Sequence, residues 1–239
     1  MTDFELAAPA SFDLARTLSN WRMGFRDPTL ELTESSVRLA MDTPDGPVSL
    51  RAERTPDGLR GDATGAGAEW LQPRLAGLFG LEDDPSGFAP TGRVVRDLHR
   101  RFAGMHLPRA PRVFGRLVAV VLQQLIPWKD ACRSWASLSR RIGRPGDGSL
   151  LLPPSAEALR GLTEYELVAA GVRPQQARTL RTIAKHEKKI ELAAERGPDE
   201  LATLLTHVPG IGPWTRQYLA GTALGVADAV LLGDYGLPH

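Results

Sequence analysis

The stretch Leu204-Leu205-Thr206-His207-Val208-Pro209-Gly210-Ile211-Gly212-Pro213-Trp214-Thr215-Arg216-Gln217-Tyr218-Leu219 decides how this chain is read. A helix ends near Thr206, two glycines flanking one apolar residue make a reversal, and a second helix opens with proline in its first turn. The product is a helical hairpin. Gly210 and Gly212 allow backbone conformations closed to other residues and let an anion approach the main chain. The unpaired N–H groups that start the second helix face that anion, helped by the helix dipole. Such a loop grips a phosphate backbone without reading bases. A bare Gly-x-Gly between helices also describes a plain tight turn, so the surroundings have to carry the rest.

Outward from the hairpin the period stays helical back to Gly92. Val113 to Leu125 is strongly apolar, Asp130 to Ile142 is amphipathic, and Arg144 to Pro154 is a loop rich in Gly and Pro. Further helices are expected over Ser155 to Leu162, Thr163 to Ala170, Pro174 to Glu195 and Asp199 to Thr206. Before Pro90 the pattern changes. Thr29 to Thr33, Ser36 to Met41 and Val48 to Ala52 alternate with period two, with a hairpin turn at Asp42-Thr43-Pro44-Asp45-Gly46. Ala68 to Phe79 then spaces Trp70, Leu71, Leu75, Leu78 and Phe79 as one helix covering the sheet. The reading is an α+β chain: residues 1–90 form a small antiparallel sheet domain and residues 91–239 an all-helical domain.

Composition narrows the function classes. Among 239 residues, 42% are hydrophobic and 24% charged, which suits a globular fold and excludes a disordered or fibrous one. The net charge of +1 excludes nucleic-acid binding by bulk electrostatics, so local clustering must supply it. Arg93, Arg96, Arg100, Arg101, Arg109, Arg112 and Arg116 against the single acid Asp97 form a basic stripe, or a solvated helix face. Cys132 is the only cysteine, so no disulfide framework, zinc cluster or four-cysteine iron–sulfur cluster is expected. With no signal-like N-terminus and no long apolar run, the expectation is an intracellular, cytoplasmic protein without a membrane partner.

The hairpin run, with Leu-x-x-Val-Pro-Gly-x-Gly and an acid about twenty residues on at Asp234, resembles the helix-hairpin-helix DNA glycosylase superfamily. Within it, the chain is most similar to 3-methyladenine DNA glycosylase II, over nearly its whole length. Val120 to Ile126 looks like the helix end and loop that wedge into the duplex, and Leu159 to Ile183 looks like the middle region of that family. The resemblance implies base excision repair on double-stranded DNA carrying alkylated bases, a monomer, and nucleoid association in a bacterium. It also implies a monovalent ion held by the backbone carbonyls of Thr206, Val208 and Ile211.

Superfamily members that also cut the DNA backbone carry a lysine two residues after the second hairpin glycine; here that residue is Trp214, which implies hydrolysis alone. Breaking the bond from C1′ to a base passes through an oxocarbenium-like state, which one carboxylate stabilises. Asp234 is the candidate, with a helix-capping aspartate as the other reading. Trp214 and Tyr218 share one helix face at i and i+4, either as core filling or, as the resemblance favours, as an aromatic wall for a cationic base, with Tyr235 and Trp128 as further pocket candidates. Base flipping leaves a gap that Leu125, with Gln124 beside it, is placed to fill, unless it is a plain core leucine. Gly210, Ile211, Gly212 and Thr215 complete the expected DNA contacts. The family continues through further helices beyond the catalytic acid, whereas His239 follows Asp234 by five residues. That reads as a truncated form, and leaves open a non-catalytic helix-hairpin-helix DNA-binding protein.

Overall fold

The computed structural model describes residues 1–234. Five strands form one antiparallel sheet in the order β1-β5-β4-β3-β2: β1 Thr2–Ala7, β2 Leu30–Leu32, β3 Ser36–Thr43, β4 Gly46–Thr55 and β5 Gly58–Thr64. Alternation fixes the faces. Val37 and Leu39 on β3 and Val48 and Leu50 on β4 point into one core, closed by Leu14 and Leu18 of α1 (Leu14–Leu18) and by the helical segment after β5. That segment is not the single helix expected. It runs as α2 (Ala68–Leu71), a 3-10 turn over Gln72–Arg74 and α3 (Leu75–Leu78), because Pro73 cannot donate the bond that would continue it.

Strands β1 and β5 extend the sheet beyond the expected three. In their register Phe4 lies opposite Gly61, where an added Cβ would come within 2.0 Å of the Arg51 carbonyl and 2.8 Å of the Phe4 ring. The glycine is there so that the ring can lie across the strand.

The helical part comprises α4 (Arg93–Arg101), α5 (Phe114–Gln123), α6 (Trp128–Ile142), α7 (Ala156–Gly161), α8 (Glu164–Ala169), α9 (Pro174–Lys185), α10 (Glu187–Arg196), α11 (Pro198–Thr206) and α12 (Pro213–Ala223). Helix α5 is the axle: Leu117 through Leu122 are fully buried, each large side chain contributing about 1.5–3 kcal/mol of transfer free energy. The expected helix over Pro174 to Glu195 is two, interrupted at His186, where Arg160 Nη1 donates to the Ala184 carbonyl at 2.8 Å and satisfies an acceptor freed at the end of α9.

Sheet and helices have separate apolar clusters, stitched together by residues 20–29. The buried Asp27 carboxylate accepts from Met23 N–H (2.6 Å), Thr29 N–H (2.9 Å), Thr29 Oγ1 (2.8 Å) and, from α6, Trp135 Nε1 (2.9 Å). Trp21 Nε1 donates to the Thr222 carbonyl at 2.7 Å, which ties the sheet unit to the end of α12. Four donors on one buried carboxylate supply the compensation such a charge requires.

Candidate functional site

Helix α11 starts after Gly197 with Pro198, and Asp199 and Glu200 in its first turn complement the dipole. Leu205, Val208, Ile211 and Leu219 are buried in the helical core, so the hairpin is held from below by its apolar side chains. Gly210 has φ +88°, and a Cβ there would lie 2.0 Å from Thr179 Oγ1. Thr179 in turn donates to the Pro209 carbonyl at 3.3 Å. Gly212 differs: its backbone is extended, and a Cβ would meet nothing within 4 Å. One glycine is demanded by the fold; the other faces open space. Helix α12 has no side-chain cap, so the Trp214 and Thr215 amides lack a partner four residues back.

The end of α5 is clasped to this hairpin. Gln124 Nε2 donates to the Gly210 carbonyl (2.9 Å) and to Thr215 Oγ1 (2.8 Å), while Gln176 Nε2 donates to the Leu122 (3.2 Å) and Gln124 (2.9 Å) carbonyls. Gln124 is therefore engaged within the protein, and the side chains of Ile211 and Thr215 are buried. The next residue, Leu125, is the single non-glycine residue with positive φ (+56°) among the described residues, and its side chain is 84% exposed. A leucine in the left-handed region costs about 1–2 kcal/mol, and this one recovers none of it by burial.

Across the first turns of α12 the acid arrives. Trp214 Nε1 donates to Asp234 Oδ2 at 2.8 Å, and the Trp214 and Tyr218 rings stack with centroids 5.0 Å apart and planes 22° from parallel. Burial pushes the Tyr218 phenol up from its ordinary pKa, Arg116 opposes that, and the Asp234 charge adds to it. Arg116 itself is enclosed: its Nη atoms donate to the Trp21 and Asn20 carbonyls at 2.8 Å each, its guanidinium lies 5.5 Å from the Trp21 ring centroid, and burial pushes its pKa down to about 10. A carboxylate, an indole donor and an aromatic face thus meet beside the hairpin turn.

Other candidates fall elsewhere. Trp128 is 48% exposed at the first residue of α6, outside the Trp214–Tyr218 stack. Tyr235 lies outside the described residues. The Val208 carbonyl already accepts from Ile211 N–H at 3.0 Å, leaving one lone pair. No cluster of three His, Cys, Asp or Glu that could hold a metal occurs among the described residues.

The arginine stripe does not survive as one surface. Arg93, Arg96, Arg100 and Arg101 lie on the exposed α4, whereas Arg112 is paired with Glu187 and Glu191, and the half-buried Arg116 is bonded to main-chain carbonyls. Sequence reasoning missed Gln176, Thr179, Asp27 and the enclosure of Arg116. The Asp-Pro-Thr run at Asp27 was a turn signal; nothing marked the other three.

No family model matches the chain. A probable bifunctional transcriptional activator/DNA repair enzyme AlkA of Mycobacterium tuberculosis is 26% identical over 170 residues, covering 69% of this chain and 34% of the relative. The chain thus spans about a third of the length of the curated relatives it matches. Among solved structures, a 3-methyladenine DNA-glycosylase from Archaeoglobus fulgidus superposes with a TM-score of 0.80 at 22% identity, covering 99% of this chain and 83% of that one. The Clostridium acetobutylicum 8-oxoguanine glycosylase/lyase, solved with double-stranded DNA containing cytosine opposite 8-oxoG, superposes with a TM-score of 0.69 at 12% identity, covering 98% and 83%. The fold is that of these DNA glycosylases, as the hairpin led one to expect.

Proposed function

We propose that this chain, with its DNA-glycosylase fold, is a monofunctional DNA N-glycosylase of base excision repair that acts in the cytoplasm as a monomer and hydrolyses the glycosidic bond of alkylated, cationic bases flipped out of duplex DNA. The observation that carries the reading is the Trp214–Asp234 hydrogen bond, which holds a carboxylate beside an aromatic face at the mouth of an anion-binding turn. The extended Gly212 and the amides of Trp214 and Thr215 grip a phosphate. Leu125 enters the base stack and fills the gap left by the flipped nucleotide. The base, carrying positive charge, stacks on the open side of the Trp214–Tyr218 pair and gains a cation–π term that a normal base gains less from.

As the bond to C1′ lengthens, positive charge grows on the sugar and Asp234 stabilises it, while water completes the substitution. Trp214 occupies the position that the resemblance gives to a lyase lysine, so no amine is present there to trap the sugar and the strand stays uncut. The carbonyls of Thr206, Val208 and Ile211 would hold a monovalent cation that stiffens the turn. The test is product analysis on methylated duplex DNA: free 3-methyladenine with strand breaks appearing only after alkali supports the proposal. Salt-sensitive binding with no base release would instead assign a non-catalytic DNA-binding role.

A further inference from the structure

Asp234 reaches Trp214 at the end of an irregular run of chain. Helix α12 stops at Ala223, and residues 224–234 contain no helix or strand, only one isolated bridge and two turns. A carboxylate that acts on a reacting bond has to be held to within about 0.5 Å, which an irregular segment does not achieve by itself. The restraint has to come from what the segment is tied to.

The ties at the exit of α12 lead back to the sheet unit. Trp21 Nε1 donates to the Thr222 carbonyl at 2.7 Å, Ala110 N–H donates to the Ala223 carbonyl at 2.8 Å, and Arg109 forms an antiparallel bridge with Leu224. Each partner is itself fixed. Trp21 is buried in the sheet core, Arg109 N–H donates to the Gly77 carbonyl of α3 at 2.7 Å, and Ala110 packs against both apolar clusters. Past this clamp, Gly225 (φ +66°) turns the chain beside Arg109, and Val226 N–H donates back to the Ala220 carbonyl at 3.1 Å. The strap then lies against α12, where Gly221 makes room for it: a Cβ there would come within 3.2 Å of the Ala229 Cβ. Asp234 N–H closes the last turn on the Leu231 carbonyl at 3.2 Å.

We infer that the sheet unit sets the position of the acid and that Trp21 is a positioning residue: through Thr222 it fixes the exit of α12, and so the strap that presents Asp234 to Trp214. That role in the reaction rests on the proposed reading of Asp234 as the acid of a glycosylase. Three variants of the full chain test it. Trp21→Phe keeps an aromatic ring in the sheet core and removes the N–H. Gly221→Val pushes Ala229 off α12 and leaves the sheet core alone. Val37→Ala loosens that core and removes no bond to α12. Two readouts are taken where all the proteins are folded: the Trp214 indole N–H resonance by NMR, identified by its loss in Trp214→Phe, and single-turnover base release from methylated duplex beside DNA affinity. Trp21→Phe and Gly221→Val should both move the Trp214 signal in the direction that Asp234→Asn moves it, and should lower the rate about tenfold with DNA affinity kept within about threefold. Val37→Ala should leave signal and rate in place. If the wild-type chain releases no base, the glycosylase reading fails and the indole signal alone decides the placement. An unmoved signal in Trp21→Phe or in Gly221→Val, or an equal movement in Val37→Ala, would overturn the role given to the sheet unit.

Discussion

The hairpin between α11 and α12 and the arginine-rich helix α4 are the two regions a sequence reader would pick for contact with nucleic acid, and they are built oppositely. The hairpin carries little charge, but Thr179, Gln124 and the buried Leu205, Val208 and Ile211 hold its backbone in one shape. Helix α4 carries four arginines and buries none of its residues; Val94, Val95 and Leu98 are exposed along with them. Attraction needs only charge, whereas placing a reacting bond needs a surface that does not move. On the proposed function, placement of the substrate falls to the hairpin and, at most, screened attraction to α4.

Breaking the hairpin should have the largest effect. Gly210→Ala brings a methyl against Thr179 in a left-handed backbone and is expected to cost roughly 2 kcal/mol or more of stability and most of the DNA affinity, measured by denaturant unfolding and fluorescence anisotropy. Adding Thr179→Ala should recover the steric part and leave the torsional part. Full recovery would show that the positive φ matters little.

Next comes the clasp. Gln176→Leu leaves the Leu122 and Gln124 carbonyls without their donor and should cost about 1–3 kcal/mol, with base release falling further than the stability loss explains, since Leu125 follows directly. Leu125→Gly sharpens the same point from the other side. It removes an exposed, strained side chain, so the protein should become about 1 kcal/mol more stable while base release drops about tenfold. A loss of stability would mean that Leu125 is packing after all.

Helix α4 should respond least. Arg96→Ala with Arg100→Ala should lower DNA affinity less than about tenfold and flatten its salt dependence, without altering the single-turnover rate. The Tyr218 phenol gives a pH test of the enclosed side of the site. Because its folded pKa is raised, it stabilises the fold below the ordinary tyrosine pKa, and that contribution is lost as pH climbs through the raised value. Phenolate absorbance should show one tyrosine ionising late, and Tyr218→Phe should remove that phase.

Much of this was legible because period and punctuation agree in the chain. Val37, Leu39, Val48 and Leu50 alternate as a half-buried sheet must, and the Pro209-Gly210-Ile211-Gly212-Pro213 run announces both the end of one helix and the start of the next. Strand β5 stayed hidden because Gly58 and Gly61, needed for close approach of β1 and β4, dilute its alternation. The split at His186 was invisible because a side chain from α7, Arg160, satisfies the freed carbonyl. The site divided along the same line. Glycine positions and aromatic spacing show in one dimension; whether Gln124 faces DNA or its own hairpin depends on Gly210 and Thr215, which lie some ninety residues away along the chain. The arginine stripe misled for a related reason, since charge in sequence does not tell an exposed helix from the half-buried Arg116, whose Nη atoms are held by the Trp21 and Asn20 carbonyls.

The central claim is that the carboxylate held by Trp214 does the chemistry while the hairpin does the gripping. Single-turnover release of 3-methyladenine from methylated duplex, measured for the wild-type chain and Asp234→Asn alongside their DNA affinities, tests it most directly. The account predicts a rate loss of about a hundredfold or more with affinity unchanged within about threefold. Equal rates in the two proteins would contradict it.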